Sequence, residues 1–197
     1  MANKMNSYIN IQIKPDAEFR ENVLLNKAFT KLHKALHDSK QTTIGVSFPN
    51  IKLKLGDTIR LHGDKLSLET LQQSNWLGGL SGYCQVSDIL PVPKEVEGYR
   101  TVSRIQTTMT LKKMEKRVSH QESKGILETK EDIKAYKRQY KEKMYASSLD
   151  NPYLELQSTS TGNIYRVFIA MGELQQQNQA GTFNAFGLSK VATIPWF

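Results

Sequence analysis

Two of the four histidines in this sequence stand at a spacing that can do chemistry. His33 and His37 are four residues apart, so on a helix both side chains project from one face and could chelate a metal ion. The intervening glutamate of the HExxH motif is absent, and no carboxylate cluster has the spacing of a divalent-metal site. A solvated helix face is therefore the favoured interpretation of the pair. We expect no resident metal and no other cofactor, so any catalysis should proceed through side chains.

A run of four hydroxyl side chains followed by a glycine, residues 158–162, separates two predicted strands. Hydroxyl groups favour turns because they bond to nearby backbone groups, and glycine permits left-handed backbone. The run therefore predicts an ordinary hairpin turn. In the alternative, functional interpretation, the same hydroxyls position an oxygen or a phosphate of a substrate.

Side chains that suit nucleic-acid bases lie in the second half of the chain. Arg104 and Gln106 are two residues apart, on one face of a predicted extended segment. Arginine fits the O6/N7 edge of guanine, and glutamine fits the N6/N7 edge of adenine. A predicted helix follows, and four of its side chains form one positive stripe: Lys112, Lys113, Lys116 and Arg117. The arrangement predicts an RNA interface, with a solvated charged helix as the alternative.

The net charge also favours a polyanionic partner. The sequence carries 27 basic and 19 acidic residues, for a net charge of +8, and the excess is uneven. Residues 1–98 hold 12 basic and 10 acidic side chains, whereas residues 99–197 hold 15 and 9. Nucleic acid is the most common partner of such a basic half. A surface charged only for solubility is the alternative.

Composition excludes several classes of protein. Hydrophobic residues make up 39% of the chain, which is enough for a packed core. No apolar run approaches the roughly 18 residues of a membrane span, and the N-terminus lacks the apolar segment of a signal peptide. Cys84 is the only cysteine, so an intrachain disulfide and a multi-cysteine metal site are excluded. We expect a soluble, cytoplasmic protein with no membrane partner.

The order of the predicted elements indicates an α+β fold. Six elements follow the order βαββαβ, that of the ferredoxin-like arrangement shared by RRM-like domains. They are predicted over residues 9–13, 20–38, 43–48, 58–62, 66–71 and 83–90. Residues 91–93, Pro-Val-Pro, predict a linker because proline interrupts both helices and strands. We therefore predict a ferredoxin-like domain over 1–92 and a smaller C-terminal RNA-binding domain with a basic helix over 93–197.

The second half of the chain also contains recognisable elements. We predict an extended segment over 99–108, helices over 111–118 and 129–145, and strands over 153–157 and 164–171. The glutamine-rich stretch 173–180 predicts a loop. The last residues, 183–197, predict an irregular segment that ends in an apolar tail.

Several segments together resemble the repeat-processing endoribonucleases of type I-F CRISPR systems, the Csy-type family. The segments read KLHKAL from residue 31, IGVSFP from 44, YRTVSRIQ from 99, STSTG from 158, FGLSK from 186 and IPWF from 194. Each motif is weak alone, but their joint occurrence is specific. The resemblance runs from Tyr8 almost continuously to the C-terminus, and residues 109–150 align only loosely.

The resemblance implies a metal-independent cleavage of a CRISPR repeat hairpin at the 3′ foot of its stem. The nucleophile would be the 2′-hydroxyl of the scissile nucleotide, and the products a 2′,3′-cyclic phosphate and a 5′-hydroxyl. It also implies that the chain stays on the hairpin as a monomer, one per CRISPR RNA, within the type I-F Cascade complex. An imidazole with an ordinary pKa of about 6.5 is a suitable base for this reaction.

The residue roles implied by the resemblance fall into two groups. For catalysis they are His33 as the base and Ser158 as the residue that aligns the 2′-hydroxyl, with Ser160 and Phe186 in support. For RNA binding they are Arg104 and Gln106 at the bases, Tyr165 on the terminal base pair, and Lys112, Lys113, Lys116 and Arg117 in the groove.

The sequence departs from the family pattern at two places. Phe186 stands where many relatives carry a tyrosine, so a phenol beside the catalytic histidine is missing. The groove helix is rich in lysine instead of arginine, and Glu115 interrupts it. Two alternatives to the endoribonuclease therefore stay open. One is a catalytically weak or silent subunit that caps the hairpin, and the other is a general RNA-binding module.

Overall fold

The computed structural model of the protein describes residues 4–105, 109–146, 151–157 and 162–197, with only the backbone of 145 and 146. Contacts divide the chain into two compact units. The first joins Met1–Arg104 to Pro152–Phe197, and the second is Ile105–Asn151. This division does not follow the boundary predicted between residues 92 and 93. The predicted mixture of helices with antiparallel sheets is confirmed.

The first unit contains an antiparallel sheet of five strands, ordered β2-β3-β1-β4, with β5 also paired to β1. Its elements follow the chain order βαββαβ, as the sequence predicts. They are β1 (Ser7–Ile13), α1 (Glu21–Asp38), β2 (Gly45–Ser47), β3 (Thr58–Gly63), α2 (Lys65–Gln73), a short 3-10 helix (Gly78–Tyr83), β4 (Cys84–Val86) and β5 (Leu90–Pro91).

The core of this unit follows from two periodicities. Ile9, Ile11 and Ile13 alternate along β1 and are at most 2% exposed, because every second side chain of a strand points to the same face. On α1 the buried side chains recur at helical spacing: Leu24, Leu25, Ala28, Phe29, Leu32 and Leu36. Each such large apolar side chain contributes roughly 1.5–3 kcal/mol when it is buried. The core thereby fixes which residues of α1 remain at the surface.

The fourth strand is not continuous, contrary to the prediction over 83–90. Ser87 interrupts it between β4 and β5. Its Oγ accepts a hydrogen bond from the Asn10 backbone nitrogen at 3.0 Å and donates one to the Asp88 carbonyl at 2.8 Å. The Ser87 hydroxyl thus takes the place of a backbone acceptor for β1. The pattern of apolar residues in the sequence does not indicate this change.

The predicted linker at 91–93 is also attached to the sheet. Pro91 lies in β5 opposite Ser7, and the Val92 backbone nitrogen donates to the Asn6 carbonyl at 2.9 Å. Proline has no N–H to donate, but a strand at the edge of a sheet tolerates it. The two prolines therefore end the sheet and do not start a free connection.

Two smaller sheets complete the first unit. One has the order β7-β9-β8, from Val102–Ile105, Ile164–Met171 and Tyr153–Gln157. The other pairs β6 (Gly98–Arg100) with β10 (Ile194–Trp196). Strands β8 and β9 begin and end at the predicted residues. Strand β10 was missed by the prediction of an irregular tail, because Pro195 interrupts the apolar pattern at a position opposite Tyr99.

The second unit contains two helices, α3 (Leu111–Ser123) and α4 (Lys130–Ala146). Helix α3 runs five residues beyond its predicted end. Thr110 caps its start by accepting a hydrogen bond from the Lys113 backbone nitrogen at 3.2 Å. Thr129 and Asp132 form a reciprocal cap at the start of α4. No helix within the described ranges is both long and apolar enough to span a membrane.

A histidine is buried inside the large sheet of the first unit. His62 on β3 has no exposed surface, and its Nε2 shares a hydrogen bond of 2.7 Å with the Ser47 hydroxyl. Its Nδ1 has no hydrogen-bond partner among the described residues. Burial, together with the positive charge of Arg60, lowers the pKa of His62 to about 3. The ring is therefore neutral in the folded protein throughout the physiological range.

This burial predicts a loss of stability in mild acid. The unfolded chain takes up a proton at His62 near its ordinary pKa of about 6.5, and the folded chain does so only near 3. The stabilisation is thus complete above pH 6.5 and is lost as the pH falls, by about 2 kcal/mol between pH 7 and pH 5. Urea unfolding across this interval measures it. His62→Gln, which cannot titrate, should flatten the slope, and an unchanged slope in that variant would contradict the assignment.

Candidate active site

His33 is held in one orientation on the surface of α1. Its ring stacks on that of Phe186, with centroids 3.9 Å apart and planes at 7°. Its Nδ1 lies 2.8 Å from the carbonyl oxygen of Ala185. A carbonyl oxygen can only accept a hydrogen bond, so Nδ1 carries the hydrogen. In the neutral ring Nε2 then keeps its lone pair, and this is the tautomer in which Nε2 can act as a general base.

The turn that carries Ala185 and Phe186 is fixed by its own hydrogen bonds and by the sheet. The Asn184 Oδ1 accepts from the Phe186 backbone nitrogen at 2.8 Å. The Gly187 carbonyl accepts from the Val46 backbone nitrogen on β2, also at 2.8 Å. Gly187 has a φ of +69°, and a Cβ there would overlap the Val46 side chain. Strand β2 therefore holds the turn, and the turn holds the histidine.

A cavity of about 440 Å³ lies beside His33, between α1 and the β8–β9 hairpin. The residues that line it are Thr30, Lys31, His33, Lys34, His37, Asp38, Leu156, Gln157 and Tyr165. The backbone of Glu155 on β8 donates a hydrogen bond to Asn26 Oδ1 of α1 at 3.1 Å, which joins the two walls. A basic group and two lysines on one cavity wall could take a proton and balance the charge of a phosphate.

His37, the partner of His33 in the sequence pattern, has a different environment. It is exposed, and its Nδ1 lies 3.3 Å from Asp38 Oδ1. The two imidazole rings are 6.2 Å apart. No group of three or more potential metal ligands occurs among the described residues. The solvated-face interpretation thus describes His37, while His33 is half-buried and stacked.

The serines of the predicted site, Ser158 and Ser160, lie outside the described residues, and their roles stay predictions. The residues on either side are described. Gln157 lines the cavity, and its Nε2 donates to the Gly162 carbonyl at 3.2 Å. The hydroxyl run thus follows directly in the chain from a residue of the cavity wall.

Arg104 lies close to the same aromatic side chain as His33. Its guanidinium carbon is 5.5 Å from the Phe186 ring centroid and 5.8 Å from that of Tyr165, distances typical of cation–π contacts. Its Nε is shielded from solvent and has no hydrogen-bond partner among the described residues. A buried donor without an acceptor is unfavourable by about 1–3 kcal/mol. The Arg104 Nε–H is thus an unpaired donor among the described residues, and Gln106 lies outside them.

The predicted basic stripe belongs to the second unit. Its four side chains are exposed on α3: Lys112, Lys113, Lys116 and Arg117. The guanidinium of Arg117 also lies 5.7 Å from the ring centroid of Tyr140 on α4. Met114 and Val118 are the buried residues of α3, on the opposite side of the helix. The apolar residues thus leave the stripe facing outward.

Three features of the site were missed by reasoning from the sequence. Lys31 and Lys34 line the cavity, but they are two residues before and one residue after His33, and helix periodicity does not place such neighbours on one face. The density of lysine around His33 was the signal that could have found them. The carbonyl of Ala185 is a backbone atom and has no signature in the sequence.

The chain is similar to two known proteins over nearly its whole length. The chain is 37% identical over 193 residues to the CRISPR-associated endonuclease Cas6/Csy4 of Escherichia coli (strain UTI89 / UPEC), covering 98% of this chain and 100% of that one. It is 34% identical over 196 residues to the protein of the same name from Pseudomonas aeruginosa (strain UCBPP-PA14), with coverage of 98% and 100%.

Among solved structures, a CRISPR endoribonuclease Cse3 bound to 19 nt RNA is similar at a TM-score of 0.36 and 13% identity, covering 96% of this chain and 100% of that one. The family described as CRISPR-associated protein (Cas_Csy4) matches residues 8–197. That match spans nearly the whole chain and confirms the resemblance of its segments: the protein belongs to the Cas_Csy4 family of CRISPR-associated proteins.

Proposed function

We propose that this chain is a type I-F CRISPR endoribonuclease that cleaves the repeat hairpin at the 3′ foot of its stem and stays bound to the product. The observation that carries the proposal is the state of His33. Stacking on Phe186 and donation from Nδ1 to Ala185 leave a lone pair on Nε2 beside a lysine-lined cavity. Named relatives of the chain are CRISPR-associated endonucleases, which supports the same reaction class.

In the proposed reaction, His33 Nε2 takes the proton of the 2′-hydroxyl at the scissile nucleotide. The 2′-oxygen attacks the adjacent phosphorus, and the bond from phosphorus to the 5′-oxygen of the next nucleotide breaks. That oxygen takes up a proton and leaves as a 5′-hydroxyl, while the other product carries a 2′,3′-cyclic phosphate. Lys31 and Lys34 would balance the negative charge that develops on the phosphate. Ser158, with Ser160 beside it, would hold the 2′-oxygen in line with the leaving group.

RNA recognition is proposed to divide between bases and phosphates. Arg104 would read a guanine with its guanidinium group, and Gln106 an adenine next to it. Tyr165 would stack on the terminal base pair of the stem. The stripe on α3 would bind phosphates along the groove through Lys112, Lys113, Lys116 and Arg117. Lysine acts as a point charge, so base discrimination would depend mainly on Arg104 and Gln106.

The wider setting of the proposal is a cytoplasmic Cascade complex of type I-F, in which one monomer holds each CRISPR RNA. The second candidate is a hairpin-capping subunit with little or no cleavage. Phe186 is the observation that favours it, because this ring contacts His33 without a phenol that could orient the active site.

Incubation of the protein with a labelled repeat RNA in EDTA separates the candidates. Cleavage at one site supports the endoribonuclease and its independence from metal. Tight binding without cleavage supports the capping subunit. Binding that is indifferent to sequence and to the hairpin would support a general RNA-binding module and contradict both.

The role of His33 predicts a variant that binds but does not cut. His33→Ala should lower the single-turnover cleavage rate about 10²- to 10⁴-fold, the usual contribution of a general base. Hairpin affinity should change only a few-fold, because the proposed stem contacts lie elsewhere. A substrate with a 2′-deoxy scissile nucleotide should be equally inert, since it lacks the nucleophile. Cleavage that survives in His33→Ala but is lost in His37→Ala would show that the wrong histidine has been assigned.

Substitutions at Arg104 and in the α3 stripe should have different effects on RNA binding. Arg104→Lys keeps the charge but removes the planar fork, so it should weaken cognate binding by roughly 1–3 kcal/mol and relax the preference for one guanine. Lys116→Ala should weaken all hairpins alike and reduce the slope of log affinity against log salt by about one. Filter binding to cognate and base-swapped stems measures both. Equal losses on both stems in Arg104→Lys would make that residue a phosphate contact.

Restoring the phenol at position 186 tests the capping alternative. Phe186→Tyr should raise the single-turnover cleavage rate about two- to tenfold, because one neutral hydrogen bond contributes on the order of 0.5–1.5 kcal/mol. Affinity for the uncleaved hairpin should not change. If the natural chain shows no cleavage and the variant cuts efficiently, the natural chain is the capping subunit. An unchanged rate would show that the stacked phenyl ring alone is sufficient to hold His33.

A further inference from the structure

Helix α4 separates most of its charged side chains by sign around its axis, with Lys143 outside the basic arc. At about 100° per residue, five cations fall within an arc of about 100° that contains no acid. These residues, called here the α4 basic face, are Lys130, Lys134, Lys137, Arg138 and Lys141. The acids share a neighbouring arc: Glu131, Asp132 and Glu142. The apolar arc holds Ile133, Tyr136, Tyr140 and Met144. A helix charged only for solubility would have both signs interspersed.

Most of the α4 basic face is free to bind an anion. All of its residues except Lys137 are exposed, and within the described ranges none of those four has a carboxylate within 4.0 Å. Lys137 donates to Glu115 Oε2 of α3 at 2.8 Å. The unit over Ile105–Asn151 carries eleven basic and seven acidic side chains, so its net charge of +4 is not neutralised internally. The face therefore produces a directed positive field.

This face is separate from the stripe on α3. The buried residues of α3, Met114 and Val118, lie about 150° around the helix from the centre of the stripe. Tyr140 is buried on the facing side of α4, so the two helices meet along these apolar residues. A stem bound to Lys112, Lys113 and Lys116 would have α3 between itself and α4, whereas Arg117, 5.7 Å from the Tyr140 ring, lies at the edge of the stripe nearest α4. Packed helices are about 8–10 Å apart, so α4 would lie one helix behind the surface that holds the stem.

We propose that the α4 basic face binds the phosphate backbone of the RNA strand that continues beyond the hairpin stem. The proposal rests on the proposed function, in which the α3 stripe holds the stem. The face extends over twelve residues, or about 17 Å, which is long enough for several phosphates of a single strand. Contacts of this kind require charge but no base sequence, and lysine supplies them well. The helical unit would thus hold two parts of one RNA on different sides.

The test compares RNAs with and without single-stranded extensions. The stem alone, the stem with a 5′ extension and the stem with a 3′ extension are bound to the full chain, with a 2′-deoxy scissile nucleotide to prevent cleavage. The variant is Arg138→Glu. Its matched control is Lys143→Glu, which makes the same charge change at an exposed position of α4, about 170° away from the centre of the basic face.

We expect the natural chain to bind one of the extended RNAs more tightly than the stem alone. Arg138→Glu should reduce that gain about fivefold or more and lower the salt slope on extended RNA by at least about 0.7, the share of one single-strand phosphate contact. Lys143→Glu should keep the gain, and affinity for the stem alone should be the same in all three proteins. Circular dichroism verifies that α4 remains helical in both variants.

Three results would overturn the inference while leaving the proposed function intact. The first is that neither extension increases the affinity of the natural chain. The second is that both charge reversals have equal effects on affinity. The third is that Arg138→Glu lowers the affinity for the stem alone as much as that for the extended RNA. The last result would place α4 on the stem. Failure of the natural chain to bind the stem alone would instead overturn the proposed function, and the inference with it.

Discussion

The hydrogen bond from His33 Nδ1 to the carbonyl of Ala185 is the contact on which the proposed chemistry depends. It joins α1 to a turn 152 residues later in the chain. Without it, the ring could take the other tautomer, and Nε2 would then donate a proton instead of accepting one. The contact is only as rigid as the turn, and the turn is attached to β2 through the Gly187 carbonyl. The central sheet therefore determines, through this turn, which nitrogen of the neutral His33 ring carries the hydrogen.

Aromatic packing extends the core to the His33 ring. Phe29, fully buried on α1, lies nearly parallel to Phe186, with centroids 6.3 Å apart and planes at 9°. Phe186 in turn stacks on His33 and lies beneath the guanidinium of Arg104. The histidine is thus oriented by dispersion and by one backbone bond, without a hydroxyl at position 186. The same phenyl ring contacts the base that would move the proton and the arginine that would read the RNA.

Much of the fold could be predicted from the sequence because its signals are local. The apolar repeat on α1 and the alternation in β8 indicated their positions almost to the residue, and β9 was also predicted at its observed bounds. The pairing of β10 with β6 could not be predicted, since Pro195 disrupts the pattern and its partner strand is about a hundred residues away. The break at Ser87 was missed because a side chain takes over a backbone hydrogen bond there.

The site was less predictable than the fold. Helix spacing alone assigned His33 and His37 the same environment, whereas tertiary contacts separate them: one is stacked and the other exposed. The family resemblance selected His33 instead. It rests on segments that lie far apart in the chain, such as residues 31–36 and 186–190, and that only the fold brings together. The role of the Ala185 carbonyl could not be predicted from the sequence. Every residue carries a backbone carbonyl, and only the fold determines which one contacts the imidazole.

The discontinuous first unit has a consequence for how such proteins can diversify. The chain leaves it after β7 and returns at β8, and these strands are the two neighbours of β9 in one sheet. Adjacent strands are about 4.8 Å apart, so the exit and entry points are separated by only about 10 Å. The helical unit is therefore an insertion that a short loop could replace. A change in it would alter the surface to which the proposed function assigns RNA binding, while His33, Ala185 and Phe186 all belong to the first unit.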